Sequence, residues 1–274
     1  MNSSTITTTA LLLATHTLLA SNHLAMALSA PPPRAVVIFC HGSGDNGHGA
    51  KGYVESVAPP FSVSALEDAG VVFEYPSAVP RSYRLMGGDI SSVWYDRIGG
   101  MDPRNPEDTA SIEPSARQLV ELIDEVVERR GVPRERVALG GFSMGGGIAI
   151  QAAARTGGRL GAVFAMSSYL CEDSRVWFEL LPGASKGGAA AKDGRCRAQD
   201  DGETNALMTT PVFMSHGEED DFVLPSWGEQ TARRLREGGA DVREFERIPR
   251  AGHEMIGEEL SRLFDFLRAE LLDK

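Results

Sequence analysis

Ser143 stands in "VALGGFSMGGG", Val137 to Gly147, where Gly141-Phe142-Ser143-Met144-Gly145 spells G-x-S-x-G. A serine hydroxyl is a weak nucleophile at neutral pH, and it attacks a carbonyl only beside a general base that an acid orients. Two histidines follow Ser143 in the chain, His216 and His253, with the run Glu218-Glu219-Asp220-Asp221 between them. When such a serine sits on a strand-turn-helix elbow, the chain order is Ser, then Asp or Glu, then His. His253, in "IPRAGHEM", follows the last strand-like run and precedes the last helical one, which makes it the expected base. His216 is expected to bond the backbone of its own turn. The acid lies in the acidic run, with Asp220 the first choice and Asp221, Glu218 and Glu219 as alternatives.

Acyl transfer by such a set also needs donors for the oxyanion that develops. One is the backbone N–H of Met144, the residue after the serine. The second must come from a loop after an early strand. "VVIFCHGSGDNGHG", Val36 to Gly49, supplies it in His41 to Gly47, with the Ser43 N–H as donor. The same loop has the G-x-G-x-x-G spelling of a dinucleotide-binding turn. That reading requires an acidic residue ending the second strand, and the candidate, Glu74, runs straight into Tyr75-Pro76. The loop therefore reads as a backbone device. Gly42 and Gly44 turn the chain, Asp45 and Asn46 hold the turn through side-chain bonds to nearby amides, and Ser43 matters for its amide.

These residues need strands that end at one edge and helices that begin there. Short apolar runs predict strands over Ala35–Cys40, Val71–Tyr75, Val137–Gly141, Ala162–Met166, Pro211–Ser215 and Val242–Arg247. Several are apolar throughout, as in strands buried on both faces of a parallel sheet. Leu119, Ile123, Val126 and Val127 form one stripe of a helix over Ile112–Arg130, capped by Ser111, with Pro114 in its first turn and Gly131 and Pro133 at its end. Further helices follow Gly145, Ser226 and Glu254. Strands alternating with helices specify an α/β fold: a mostly parallel central sheet, helices on both faces, right-handed crossovers.

Composition sets the limits. The 274 residues carry a net charge of -11 at pH 7, which speaks against a nucleic-acid surface. Cys40, Cys171 and Cys196 form no C-x-x-C and no Cys/His zinc spacing, so no metal is expected. Residues 1–33 hold no Lys, Arg, Asp or Glu and contain "ALLLATHTLLA", too short to span a bilayer. They read as a targeting or disordered segment, leaving a catalytic domain over 34–274. Residues 181–210, polar and rich in Gly and Ala, read as a flexible surface insert in that domain.

The blocks "HGSGDNGHG", "YPSAVPRSYRLMGGDISSVWYD", "GGFSMGGGIA" and "HGEEDDFVLPSW", with "GHEM" as a weaker fifth, resemble the acyl-protein thioesterase and carboxylesterase group of α/β hydrolases, nearest its lysophospholipase-like branch. The resemblance runs from Arg34 to Glu254. It implies the α/β-hydrolase fold and a serine hydrolase without a cofactor, acting on carboxylic esters, S-acyl thioesters of proteins or lysophospholipids. By position, Ser143 matches the nucleophile, Asp220 the acid that precedes x-x-V, His253 the base, and Ser43 and Met144 the oxyanion donors. Met144 replaces the glutamine of the thioesterases, so its side chain is expected to line the site differently. "SSVWYD" matches a loop whose tryptophan lies near the active site, so Trp94 is expected either to wall the acyl pocket or to be an ordinary buried aromatic. Asp96 and Arg97 are expected to pair. The resemblance implies a cytoplasmic location, and a targeting role for residues 1–33 implies a secretory or organellar one. No apolar run in the domain is long enough to cross a membrane, so any membrane contact is expected to be peripheral. The competing reading is a catalytically silent acyl- or lipid-binding protein on the same fold.

Overall fold

The computed structural model describes residues 32–180 and 205–274. Most of the expected N-terminal segment, residues 181–204 of the expected insert, and Cys196 lie outside them. Contacts divide the chain between Pro32 and Pro33, and the unit that carries the fold is Pro33–Lys274.

Six strands form the central sheet: β1 (Ala35–Cys40), β2 (Val71–Glu74), β5 (Val137–Phe142), β6 (Ala162–Met166), β7 (Val212–Gly217) and β8 (Val242–Ile248). Two short strands, β3 (Arg81–Ser82) and β4 (Ile90–Ser91), make a separate antiparallel hairpin. The sheet order is β2-β1-β5-β6-β7-β8, and every pairing is parallel. The expected strands are all present, within two residues at each end.

Seven α-helices are described: α1 (Gly47–Val57), α2 (Ser62–Asp68), α3 (Thr109–Arg130), α4 (Met144–Ala153), α5 (Ala206–Thr209), α6 (Pro225–Glu237) and α7 (Gly257–Leu271). Side chains alternate across a strand, and β1 divides accordingly. Val36, Ile38 and Cys40 pack with Leu119 and Ile123 of α3 and Ile148 of α4. Val37 and Phe39 pack with Val54 of α1 and Leu260 and Leu263 of α7. Every residue of β1 is buried, which explains its unbroken apolar run.

Three local expectations are corrected. The cap of α3 is Asp108, whose carboxylate accepts the Ser111 N–H; Ser111 instead donates its hydroxyl back to the Asp108 carbonyl. Because α3 begins at Thr109, Pro114 lies inside the helix, beyond its first turn. The last residues of the expected insert are core: Ala206 and Leu207 are fully buried, and the Thr210 hydroxyl accepts the Leu160 N–H at 2.9 Å. Gly131 does end α3, at φ 66°.

Candidate active site

Ser143 is the residue between β5 and α4, and its backbone sits at φ 54°, ψ -122°. A non-glycine residue there is strained. The strain is held by the Ser143 N–H donating to the Met166 carbonyl at 2.8 Å on the neighbouring strand. The flanking glycines are steric requirements. A Cβ on Gly141 would lie 2.2 Å from the Cys40 carbonyl oxygen, and one on Gly145 would lie 2.1 Å from the same atom. The end of β1 is thus pressed against the elbow, and only glycines admit it.

Asp220 follows β7 and His253 follows β8, so both arrive at the same carboxyl edge of the sheet as Ser143. His253 Nε2 lies 2.9 Å from Ser143 Oγ, and His253 Nδ1 lies 2.7 Å from Asp220 Oδ2. A carboxylate at Nδ1 fixes the proton on that nitrogen, leaving Nε2 to accept the serine hydroxyl. The imidazole is flanked by Phe142 and Phe222, with ring centroids 4.9 and 5.1 Å away. Burial selects the acid from its run: Asp220 is buried, while Glu218, Glu219 and Asp221 are exposed.

The other oxygen of Asp220, Oδ1, accepts the N–H groups of Phe222 at 3.0 Å and Val223 at 2.8 Å. His216 makes a second contact that was not expected of it. Its Nε2 lies 2.8 Å from the Val223 carbonyl, as befits a turn-bonding histidine, and also 3.2 Å from Asp220 Oδ2. Its spacing of four from Asp220 across one loop was the available signal. Burial alone would raise the Asp220 carboxyl, but the bonds from His216, His253 and the Val223 N–H outweigh it and hold it at about 2.

Behind this loop, Ser215 donates its hydroxyl to Glu259 Oε1 at 2.7 Å. Burial pushes the Glu259 carboxyl up to about 7, against that hydrogen bond. An unfolded glutamate titrates near 4.3, so between these values the unfolded chain releases a proton that the native state keeps. Stability contributed by this group is full below about pH 4 and is lost as pH rises towards 7. Glu259→Gln has nothing to ionise. Its stability relative to the parent, from urea unfolding at each pH, is expected to rise by roughly 3 kcal/mol between pH 4 and pH 8. A pH-independent difference would contradict the assignment.

The loop after β1 stands beside the elbow. Gly44 is left-handed at φ 81°, and its N–H donates to the Ser92 carbonyl at 3.0 Å. Asn46 caps α1 by accepting the Gly49 N–H at 3.0 Å. Two expectations for the loop fail. Gly42 is not sterically demanded, since an added Cβ would meet Phe142 at an ordinary 3.5 Å. Asp45 makes no side-chain bond to an amide among the described residues and instead lies over Gly49, where a Cβ would meet its Oδ1 at 2.0 Å.

His41 does what Asp45 was expected to do. Its Nδ1 lies 2.6 Å from the Gly42 carbonyl, while its Nε2 accepts the Ala78 N–H at 3.0 Å. The Gly42 carbonyl and the Ser43 N–H belong to one planar peptide and point in opposite directions. Holding the carbonyl therefore aims the amide. The Ser43 N–H has no protein acceptor among the described residues. The Met144 N–H is the first of α4, where no carbonyl lies one turn back within the helix.

A cleft of about 710 Å³ opens on this group, lined by Ser43, Phe142, Ser143, Phe222, His253 and Arg97 among others. Trp94 is not in its lining. It is fully buried, and its Nε1 donates to the His41 carbonyl at 2.9 Å, so it braces the loop from behind and does not wall the pocket. The Met144 side chain is likewise buried in the core and does not line the cleft. The expected Asp96–Arg97 ion pair is also absent among the described residues: Asp96 pairs with Arg84 at 3.3 Å and accepts the backbone N–H of Arg97 at 2.9 Å, while the Arg97 guanidinium donates to the Tyr169 hydroxyl.

Residues 21–178 match the model of the phospholipase/carboxylesterase family. The chain belongs to this family. A model of the prolyl oligopeptidase family matches residues 113–273. Lysophospholipase-like protein 1 of Mus musculus is 32% identical over 252 residues, covering 91% of this chain and 93% of its own. Acyl-protein thioesterase 1 of Gibberella zeae is 31% identical, covering 88% and 92%. Among solved structures, Arabidopsis thaliana SOBER1 matches with a TM-score of 0.69 at 21% identity, covering 86% of this chain and 99% of that one. Zea mays acyl-protein thioesterase 2 matches at 0.66 and 23%, covering 89% and 96%. These two establish the shared α/β-hydrolase fold. The family and its sequence relatives make the chain an enzyme, a hydrolase.

Proposed function

We propose that this hydrolase cleaves carboxylic esters or S-acyl thioesters, acylated proteins included, through an acyl-enzyme on Ser143. The observation that carries the proposal is the unbroken chain Ser143 Oγ–His253–Asp220, with contacts of 2.9 and 2.7 Å, opening on the cleft. His253 Nε2 takes the hydroxyl proton as Oγ bonds to the acyl carbon. The N–H groups of Ser43 and Met144 receive the oxyanion. His253 then gives its proton to the leaving alcohol or thiol, and the acyl–oxygen or acyl–sulfur bond breaks. Water, deprotonated by the same imidazole, releases the acid and restores Ser143. The relatives named acyl-protein thioesterase support S-acyl proteins as one substrate class.

A silent acyl-binding protein would keep the cleft without an activated serine. A fluorophosphonate probe separates the two readings, because it phosphonylates only a serine whose proton is taken by a neighbouring base. The purified chain is expected to label with one equivalent of probe, and peptide mapping is expected to find the adduct on Ser143. Binding of an acyl ligand without labelling would favour the silent protein.

A further inference from the structure

Among the described residues, Arg97 is a buried cation without an ionic partner. It is 7% exposed. A buried guanidinium is costly unless it is paired and hydrogen-bonded. Of its five N–H donors, one has a side-chain acceptor among the described residues, the Tyr169 hydroxyl, and its Nε is buried with none. The carboxylates that could answer it are committed elsewhere. Asp96 is held by Arg84 at 3.3 Å, and Glu107 accepts from Gln151 at 2.6 Å and from the Arg175 N–H at 3.2 Å. No ion pair to Arg97 occurs among the described residues.

Its surroundings are nevertheless built. The guanidinium carbon lies 5.3 Å from the centroid of the Tyr95 ring and 4.9 Å from that of Tyr169. The Tyr169 hydroxyl in turn donates to the Met101 carbonyl. Two aromatic faces give part of the stabilisation that an anion would give in full, and they lock the planar fork against rotation. Arg97 lines the same cleft as Ser143 and His253. The other ionisable side chains in that lining, Asp45, Glu254, His41, His253, Tyr53 and Tyr83, include no further Lys or Arg. In a chain of net charge -11, an anion entering this cleft meets one fixed cation.

We propose that Arg97 is a substrate-binding residue that pairs with an anionic group, a carboxylate or phosphate, carried by the ester itself. The inference rests on the ester-hydrolase reading above and adds the charge of the substrate to it. A rigid guanidinium matches either oxyanion with two parallel hydrogen bonds. Substrate binding then supplies the acceptors that the fold leaves out.

The test compares kcat/KM for the mono-p-nitrophenyl ester of glutarate with that for p-nitrophenyl pentanoate, in the parent, Arg97→Gln and Arg97→Lys. The ratio of the two, anionic over neutral, is expected to fall roughly ten- to hundredfold in Arg97→Gln and by less in Arg97→Lys. In the parent, glutarate or inorganic phosphate is expected to inhibit pentanoate hydrolysis competitively, and glutaramide is not; whichever anion inhibits more strongly names the group. This arm needs no variant to fold. An unchanged ratio across the three proteins, or equal inhibition by glutarate, phosphate and glutaramide, overturns the proposal. Pentanoate hydrolysis that survives Ser143→Ala would instead sink the ester-hydrolase mechanism, which keeps the two failures apart.

Discussion

Ser143→Ala is expected to lower kcat toward p-nitrophenyl acyl esters by about 10⁶-fold, the loss seen when a catalytic serine is removed from other hydrolases. The size of the loss reflects what remains. Without Oγ no acyl-enzyme forms, and the Ser43 and Met144 amides are left to polarise a carbonyl that only water can attack. The residual catalysis of such a site is about 10³–10⁴ over water. The fold should survive. The Ser143 side chain makes one hydrogen bond, to His253, and the elbow is set by backbone contacts and by the two glycines against Cys40. Alanine at φ 54° is strained much as serine is, so the stability change should stay within about 1 kcal/mol. Steady-state hydrolysis beside a thermal melt reads both quantities. Activity within tenfold of the parent would remove Ser143 from the mechanism.

The elbow was legible in the sequence because its constraints are local and steric. Gly141 and Gly145 are needed by contacts that any strand-turn-helix of this tightness creates, so the motif and the geometry carry the same information. The strands were legible because burial on both faces leaves a continuous apolar run, as in Ala35–Cys40. Helix α1 was not expected: Gly47, Gly49 and Gly52 give it poor intrinsic propensity, and it forms through the Asn46 cap and the packing of Val54. Gly47 belongs to it for a tertiary reason, since a Cβ there would lie 1.8 Å from the Tyr75 carbonyl oxygen. For Trp94, Asp96 and Arg97, the pocket-wall alternative and the ion pair fail for one cause. Their partners His41, Arg84 and Tyr169 lie 53, 12 and 72 residues away in sequence, and adjacency in "WYDR" says nothing about them. The acid was half legible. Four neighbouring carboxylates have the same chemistry, and only the turn that buries Asp220 under two backbone amides separates it from the rest.

Asp220→Asn is the sharper test of that separation, and a loss of about 10⁴-fold in kcat is expected. The two oxygens of Asp220 do different work. Oδ1 accepts two backbone N–H groups, from Phe222 and Val223, so an asparagine must keep its carbonyl oxygen on that side. Its NH₂ then replaces Oδ2 and faces His253 Nδ1 and His216 Nε2. A donor facing His253 Nδ1 turns that nitrogen into an acceptor. The imidazole proton moves to Nε2, where it points at Ser143 Oγ and cannot receive the serine's proton. His216 gives no way out, because its Nε2 proton is committed to the Val223 carbonyl. In the parent the Asp220 carboxyl is held at about 2, below its unfolded value of about 3.9, so the contribution to stability is full above pH 4 and is lost only as pH falls towards 2. Between pH 5 and 9 the acid stays ionised, and any acid limb of the activity profile in that range belongs to another group. Asp221→Asn, on an exposed side chain one residue away, is the control and should change kcat by less than about twofold. Comparable losses in the two variants would mean that the acidic run acts as a cluster, and that Asp220 is not the group that orients His253.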